Sequence, residues 1–471
     1  MEILHLSAEC YPVAKAGGLG DVVGALPKYQ ARAGHFAKVV MPFYQTKFTE
    51  NNEFLTDASF HIHLGTVSRQ VHILKEKNNS LGFDLYLVRI EGLLDRPKIY
   101  GYDDDDARFL AFQIAVLDWL NGWEHQPDVV HCHDHHSGLV PFFMQHGLKY
   151  ERLRQIRSVF TIHNGNYQGW ISWNSVRLMP AFPASESGLL DWDGVVNPMA
   201  SAIRCADAIT TVSPSYMQEL MEDAAGLEPL FRQYWAKCHG ILNGIDAETW
   251  NPATDELIGH HFQSDTVGEG KWANKQAICN AFGLNSHLPL TVFIGRLVGE
   301  KAADILVDAI SAAVYATQGR MSFLVLGSGD DRVENGLEQL KSRFPHHFNC
   351  YIGYNEALSH QLYAAADFLL MPSRVEPCGL NQMYALRYGT MPLVRNTGGL
   401  RDTVTDVGDN GWGIRFLHAS TADIAHACSR ARHLFAQPDA MQHYRKRMMK
   451  IDNSWENSVQ KYQNVYQEVF K

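Results

Sequence analysis

The chain has little excess charge of either sign and lacks the segments that mark export, membrane insertion or a disulfide framework. Across its 471 residues, 41 Lys and Arg stand against 51 Asp and Glu, a net charge of −10 with histidine neutral. That balance carries no electrostatic footprint for duplex nucleic acid and makes anionic membrane surfaces poor partners. The opening MEILHLSAE has neither the basic nor the apolar region of a signal peptide, and no run approaches 18 apolar residues. Eight cysteines are scattered at positions 10, 132, 205, 238, 279, 350, 378 and 428, without a CxxC pair. Reduced thiols in a cytoplasmic protein are the economical expectation. Low-complexity tracts and short repeats are absent as well.

What is present is enough apolar residue, 46%, for a sizeable core, and enough length for two or three domains. Short apolar runs alternate with helical patterns. In the first half, residues 3–7, 39–42, 85–90, 129–131, 158–162 and 208–212 read as strands, and 21–34, 106–122, 137–150 and 214–223 as helices. In the second half, strands are expected at 290–294, 323–326, 350–352, 368–371 and 392–394, and helices at 302–317, 331–343, 356–366, 382–388 and 422–435. Nearly continuous apolar strands between helices predict two doubly wound α/β domains with parallel sheets. Polar, poorly periodic sequence from about 245 to 288 reads as the break between them. Such sheets bind ligands beyond the carboxyl ends of their strands, so chemistry is expected in the loops that follow strands.

Five segments meet that condition. Lys15 to Asp21 (KAGGLGD) follows the first strand and opens a helix. Its glycines permit close backbone approach, the helix start offers N–H groups to an anion, Lys15 adds charge, and Asp21 can cap the helix or bind a hydroxyl; a plain glycine turn is the alternative. His131 to His136 (HCHDHH) invites a metal set with His131, His133 and His135 on one side, but no further Cys or His pair at zinc-like spacing completes it. The expectation is no metal, and a turn that points Asp134 at the ligand crevice. His163 ends the strand of FTIHNG. Arg296 and Lys301 flank a strand-to-helix loop, where two cations can neutralise a diphosphate without a metal. Glu376 lies in PSRVEPCGLNQ, where the following N–H groups suit phosphate and the carboxylate suits sugar hydroxyls or developing positive charge. A GSG at 327–329 is only a fragment of a dinucleotide fingerprint, which disfavours a nicotinamide oxidoreductase.

Together these motifs resemble the bacterial glycogen synthase and plant starch synthase family of retaining glycosyltransferases. The resemblance runs from Met1 to about Tyr466 through KAGGLGD, HCHDHHSG, FTIHNG, TTVSPSY, ILNGIDAETWNP, GRLVGEK, IGYNEALSH and MPSRVEPCGLNQMYALRYGTMPLVRNTGGLRDTV. It implies the GT-B fold, α/β with two Rossmann-like domains facing a central cleft. The expected divisions are a catalytic N-terminal domain over residues 1–245, a nucleotide-sugar-binding domain over 246–453, and a C-terminal helix in 454–471 packing back towards the first. The implied activity is transfer of glucose from ADP-glucose to the non-reducing 4-hydroxyl of an α-1,4-glucan, glycogen or a maltooligosaccharide, with no metal cofactor. UDP-glucose as donor and a non-catalytic glucan-binding protein are the alternatives. By motif, Arg296 and Lys301 grip the diphosphate, Glu376 lies under the glucose and His163 near its 6-hydroxyl. Lys15, Gly18, Asp21, Asn243, Cys378, Gly379, Leu380 and Asn381 line the donor, Tyr354 stacks on the base, and Tyr100 and Asp134 lie on the acceptor side. The chain departs from the pattern at Ala302, where glycine is common, at Asn381, where threonine is common, and at Ala200–Ala202. These departures bear on acceptor and base preference.

Overall fold

The computed structural model describes residues 1–471 and divides into two compact units, Met1–Leu242 with Trp455–Lys471, and Asn243–Ser454. No helix is long and apolar enough to cross a membrane.

The first unit is built on nine strands: β1 (Glu2–Leu6), β2 (Phe36–Pro42), β3 (Phe54–Leu64), β4 (Val67–Glu76), β5 (Asp84–Arg89), β6 (Val129–His133), β7 (Arg157–Ile162), β10 (Ala208–Thr211) and β11 (Cys238–Gly240), with a separate two-residue pair β8 (Asp191–Trp192) and β9 (Val195–Val196). Their order is β11-β10-β7-β6-β1-β2-β5-β4-β3. All pairings are parallel except β5–β4 and β4–β3. Starting from β5, the seven parallel strands run third, second, first, fourth, fifth, sixth, seventh in chain order, the doubly wound arrangement whose switch point lies between β1 and β6. The loops after β1 and β6 are therefore where topology alone places a ligand.

The helix Gly18–Arg32 covers one face of this sheet, and the C-terminal helix Trp455–Glu468 packs beside it. The latter buries Trp455, Val459, Tyr462 and Tyr466, spaced three and four apart, against Ile3, Val22, Leu26 and Val159.

The second unit carries β12 (Leu290–Ile294), β13 (Ser322–Gly327), β14 (Phe348–Ile352), β15 (Phe368–Met371), β16 (Met391–Arg395) and β17 (Ile414–Phe416), all parallel, in the order β14-β13-β12-β15-β16-β17. This is again third, second, first, fourth, fifth, sixth. The switch point lies between β12 and β15, whose following loops hold Arg296 with Lys301, and Glu376. Separate apolar cores cover the two sheet faces.

Three expectations are corrected. The stretch 245–288 is not merely a break, because it contains the helix Val267–Phe282. Its apolar period is hidden by buried lysines: Lys271 Nζ donates to the carbonyls of Tyr363, Ala364 and Tyr388 and to Thr390 Oγ1 at 2.7–3.1 Å. Lys275 pairs with buried Asp367 at 2.6 Å, which Arg445 also contacts at 2.6 Å. These lysines serve as fixed donors to buried carbonyls and a buried carboxylate. The expected helix 137–150 is broken into a 3-10 turn at His135–Ser137 and a short helix at Val140–His146. Finally, the antiparallel β3–β4 hairpin falls in sequence to which no element was assigned.

Candidate active site

In the first unit the loop after β1 is organised by Glu9, a residue the motif reading passed over. Its buried carboxylate accepts the N–H groups of Ala16 at 2.6 Å and Gly17 at 2.9 Å through Oε2, and the hydroxyl of Tyr100 at 2.7 Å through Oε1. Two of the N–H groups ahead of the helix are thus already satisfied, while the Gly18 N–H has no acceptor in the chain. The cap residue is Gly17, which has no side chain to cap with, and Asp21 lies in the first turn rather than at the cap position. It pairs instead with Lys15 at 2.6 Å, both partly exposed. Tyr100 is tied to the same loop and stacks on His136, ring centroids 5.0 Å apart.

A Cβ built on Gly17 or Gly18 would meet nothing within 4 Å, and neither has a positive φ. No contact within the protein requires glycine at either position.

At the end of β6, Asp134 adopts φ 56° and ψ 178°, a region that costs a non-glycine residue of order 1–3 kcal/mol and concentrates at functional sites. The bend turns its carboxylate back to accept the N–H of His163 at 2.8 Å. Burial pushes the carboxyl up to about 7, against the pull of the N–H groups of His163 and Asn164 and with the help of the Glu9 charge. His163 is also buried, which lowers its imidazole to about 3 and keeps it neutral.

The histidine cluster that the structure builds differs from the one the spacing suggested. His5, not His135, joins His131 and His133, and ring nitrogens of the three lie within 4.8 Å of one another. All six ring nitrogens, however, already have hydrogen-bond partners: Gln30, His133, His163, Tyr466, Thr161 and His5 between them. No lone pair is left to point at an ion. His135 lies beyond the bend, bonded through Nδ1 to the carbonyl of Tyr167.

In the second unit Lys301 Nζ lies 2.5 Å from Glu376 Oε2, which also accepts the Ser373 hydroxyl at 2.8 Å. Glu376 is 93% shielded from solvent and Lys301 about three-quarters so. Arg296 is 64% exposed and meets only Glu300, at 3.7 Å. The two loops are clamped together by Arg374, missed in the sequence, whose N–H donates to the Glu300 carbonyl at 2.8 Å and whose guanidinium grips Asp304. Asn381 Nδ2 donates to the Ile294 carbonyl at 2.7 Å, so its side chain fastens the helix start to the end of β12.

Ala302 adopts φ 55°, in the left-handed region, which ends the turn after Lys301 and delays the regular helix to Leu306 rather than 302. Gly379, at φ +73°, leaves its Cβ position 2.5 Å from Gln382 Oε1. Gly398 and Gly399 bring the next helix onto the strand-end loop, with the Gly399 N–H bonded to the Glu376 carbonyl at 3.1 Å. Their absent Cβ atoms would lie 2.0 and 2.1 Å from the carbonyls of Glu376 and Cys378. Buried Cys378 has its thiol pushed up to about 12, which makes it an inert packing group. Asn243 is buried with Oδ1 unpaired within the protein, and Tyr354 is 84% exposed just beyond β14.

Residues 2–233 match the starch synthase catalytic domain and residues 274–444 the glycosyl transferases group 1 domain. The chain is 48% identical to a glycogen synthase of Flavobacterium johnsoniae, covering 99% of this chain and 98% of that protein. It is 37% identical to a glycogen synthase of Geobacillus stearothermophilus, covering 100% and 98%. Among solved structures, the catalytic domain of starch synthase IV from Arabidopsis thaliana, bound to ADP and acarbose, matches with a TM-score of 0.88 at 32% identity over 99% of both chains.

Proposed function

The chain belongs to the glycogen synthase and starch synthase family and is a GT-B hexosyltransferase, and we propose that it transfers glucose from ADP-glucose to the 4-hydroxyl of an α-1,4-glucan with retention and without a metal cofactor. The observation that carries this reading is the Lys301–Glu376 pair at the switch point of the second sheet, with Arg296 exposed beside it. A relative with ADP bound, similar over 99% of both chains, supports adenine over uracil.

Breaking the bond between C1 and the diphosphate builds negative charge on the leaving oxygens and positive character at C1. Fixed cations at the first and a carboxylate near the second lower the barrier without reorganisation. Arg296, Lys301 and Lys15 take the first role, with the N–H groups of Gly18, Leu380 and Asn381. Glu376 orients the sugar and stabilises its charge, and His163 meets a sugar hydroxyl. Asn243, Asp21, Cys378, Gly379 and Tyr354 complete the donor site, and Asp134 and Tyr100 serve the acceptor. The new bond joins C1 to the acceptor oxygen on the face the diphosphate leaves, and the acceptor proton passes to the departing phosphate. Eight unpaired cysteines, seven of them buried, fit a cytoplasmic enzyme.

Paired glycine variants test the reading. Gly18→Ala should melt within a few tenths of a kcal/mol of the parent, because its Cβ meets nothing and alanine favours the helix. Its affinity for ADP-glucose should fall at least about tenfold, roughly 1.4 kcal/mol. Gly379→Ala forces a side chain into the left-handed region and should cost about 1–2 kcal/mol of stability. Unchanged donor affinity in Gly18→Ala would remove that loop from the donor site.

A further inference from the structure

Four buried histidines, His131, His5, His133 and His163, belong to one continuous hydrogen-bonded line that ends at His163. His163 Nε2 lies 3.0 Å from His133 Nδ1, and His133 Nε2 lies 3.0 Å from His5 Nδ1. His5 Nε2 is 2.7 Å from Gln30 Oε1. Gln30 Nε2 in turn donates to the Tyr466 hydroxyl at 2.9 Å. That hydroxyl is 2.7 Å from His131 Nδ1, and His131 Nε2 is 2.6 Å from Thr161 Oγ1. His5, Gln30, His131, His133 and Tyr466 are fully shielded from solvent.

A neutral imidazole has one donor and one acceptor, so each link dictates the next. Gln30 is the one member whose two ends differ chemically and cannot exchange roles by moving a proton. With its oxygen on His5, His5 must carry its proton on Nε2 and accept at Nδ1. His133 then carries its proton on Nε2, and so does His163. The Nδ1 of His163 makes no hydrogen bond within the protein. Tyr466 accepts from the Gln30 amide and shares a second hydrogen bond with His131 Nδ1, so the C-terminal helix gives the amide nitrogen its partner. Turning it over would require every proton along the line to move as well.

We propose that Gln30, with His5 and His133 as intermediaries and Tyr466 as its support, is a positioning residue that fixes His163 as the Nε2-protonated tautomer. His163 then offers a bare Nδ1 that accepts a hydrogen bond from a substrate hydroxyl and donates none. The kinetic consequence rests on the reading of His163 as a sugar-side residue; the tautomer itself does not.

The test is two-bond proton–nitrogen correlation NMR on the ligand-free full chain labelled with ¹⁵N-histidine, His163 being identified by its loss in His163→Asn. The expected wild-type spectrum shows a protonated Nε2 and an unprotonated Nδ1. In Gln30→Met, His163 should become a mixture of both tautomers, with kcat/KM lowered about fivefold, the worth of one hydrogen bond. Gln30→Glu keeps an oxygen facing His5 and should restore both spectrum and rate. If Gln30→Met does not fold, Tyr466→Phe frees the amide to turn and should give the same mixture. A proton on Nδ1 in the wild type, or an unchanged His163 spectrum in a folded Gln30→Met or Tyr466→Phe chain, overturns the proposal. Because the spectra need no substrate, failure of the ADP-glucose reading would leave them unaltered.

Discussion

Lys301→Ala is expected to lower kcat by at least about 10²-fold, the loss of roughly 2.7–4 kcal/mol that removal of one preorganised oxyanion donor produces. Lys301 is held 2.5 Å from Glu376 in a largely shielded pocket, and its charge is in place before any diphosphate arrives. The variant leaves Glu376 with the Ser373 hydroxyl as its remaining side-chain donor, so some stability is lost as well. Arg296→Ala separates the two effects. Arg296 is mostly exposed and meets Glu300 only at 3.7 Å, so its removal should leave the melting temperature unchanged while reducing turnover on the same scale. Single-turnover measurements with saturating donor read the chemical step directly. Near-normal rates in either folded variant would contradict the assignment of these cations to the leaving group.

The first unit is expected to lose stability steeply between about pH 6.5 and 5. Burial lowers His5 to about 4 and His163 to about 3, and holds His131, His133 and His136 well below the ordinary histidine range. A group whose folded pKa is depressed contributes stability that is fully present above its unfolded pKa and is lost as pH falls towards the folded one. At pH 5 the unfolded chain has bound protons that the folded one has not, which costs about 2 kcal/mol for each of His5 and His163. Asp134 acts in the opposite sense, because its folded pKa of about 7 lies above the unfolded value. Its contribution grows on acidification, by about 2 kcal/mol between pH 7 and 5. Five histidines outweigh one carboxyl. Hydrogen exchange, corrected for intrinsic rates, should show protection of β1, β6 and β7 falling by several kcal/mol before that of β12, β13 and β15. Equal loss in both sheets would contradict the claim.

The sheet cores were legible because parallel strands covered on both faces are written as uninterrupted apolar runs; β12 and β15 fall on the residues that periodicity marks, 290–294 and 368–371. The helix Val267–Phe282 was not, because Lys271 and Lys275 occupy core positions as carbonyl and carboxylate partners. Chemistry-bearing motifs were legible wherever a cation, carboxylate or glycine cluster followed a strand. Supporting residues were not, because they are ordinary in sequence and acquire meaning only from what folding brings near. Glu9 reaches Tyr100 across 91 positions, Arg374 reaches Asp304 across 70, and Gln30 reaches Tyr466 across 436. The alternation that would put His131, His133 and His135 on one side fails for a related reason, since the strand ends at His133 and Asp134 turns His135 away.

The most direct test of the account is radiolabelled glucose incorporation into glycogen by the purified full chain, with ADP-glucose and UDP-glucose compared side by side in the presence of a chelator. The account predicts incorporation from ADP-glucose well above that from UDP-glucose, undiminished by the chelator and lost in Lys301→Ala. Incorporation from UDP-glucose alone, or none from either donor by a chain that still binds glycogen, would contradict it.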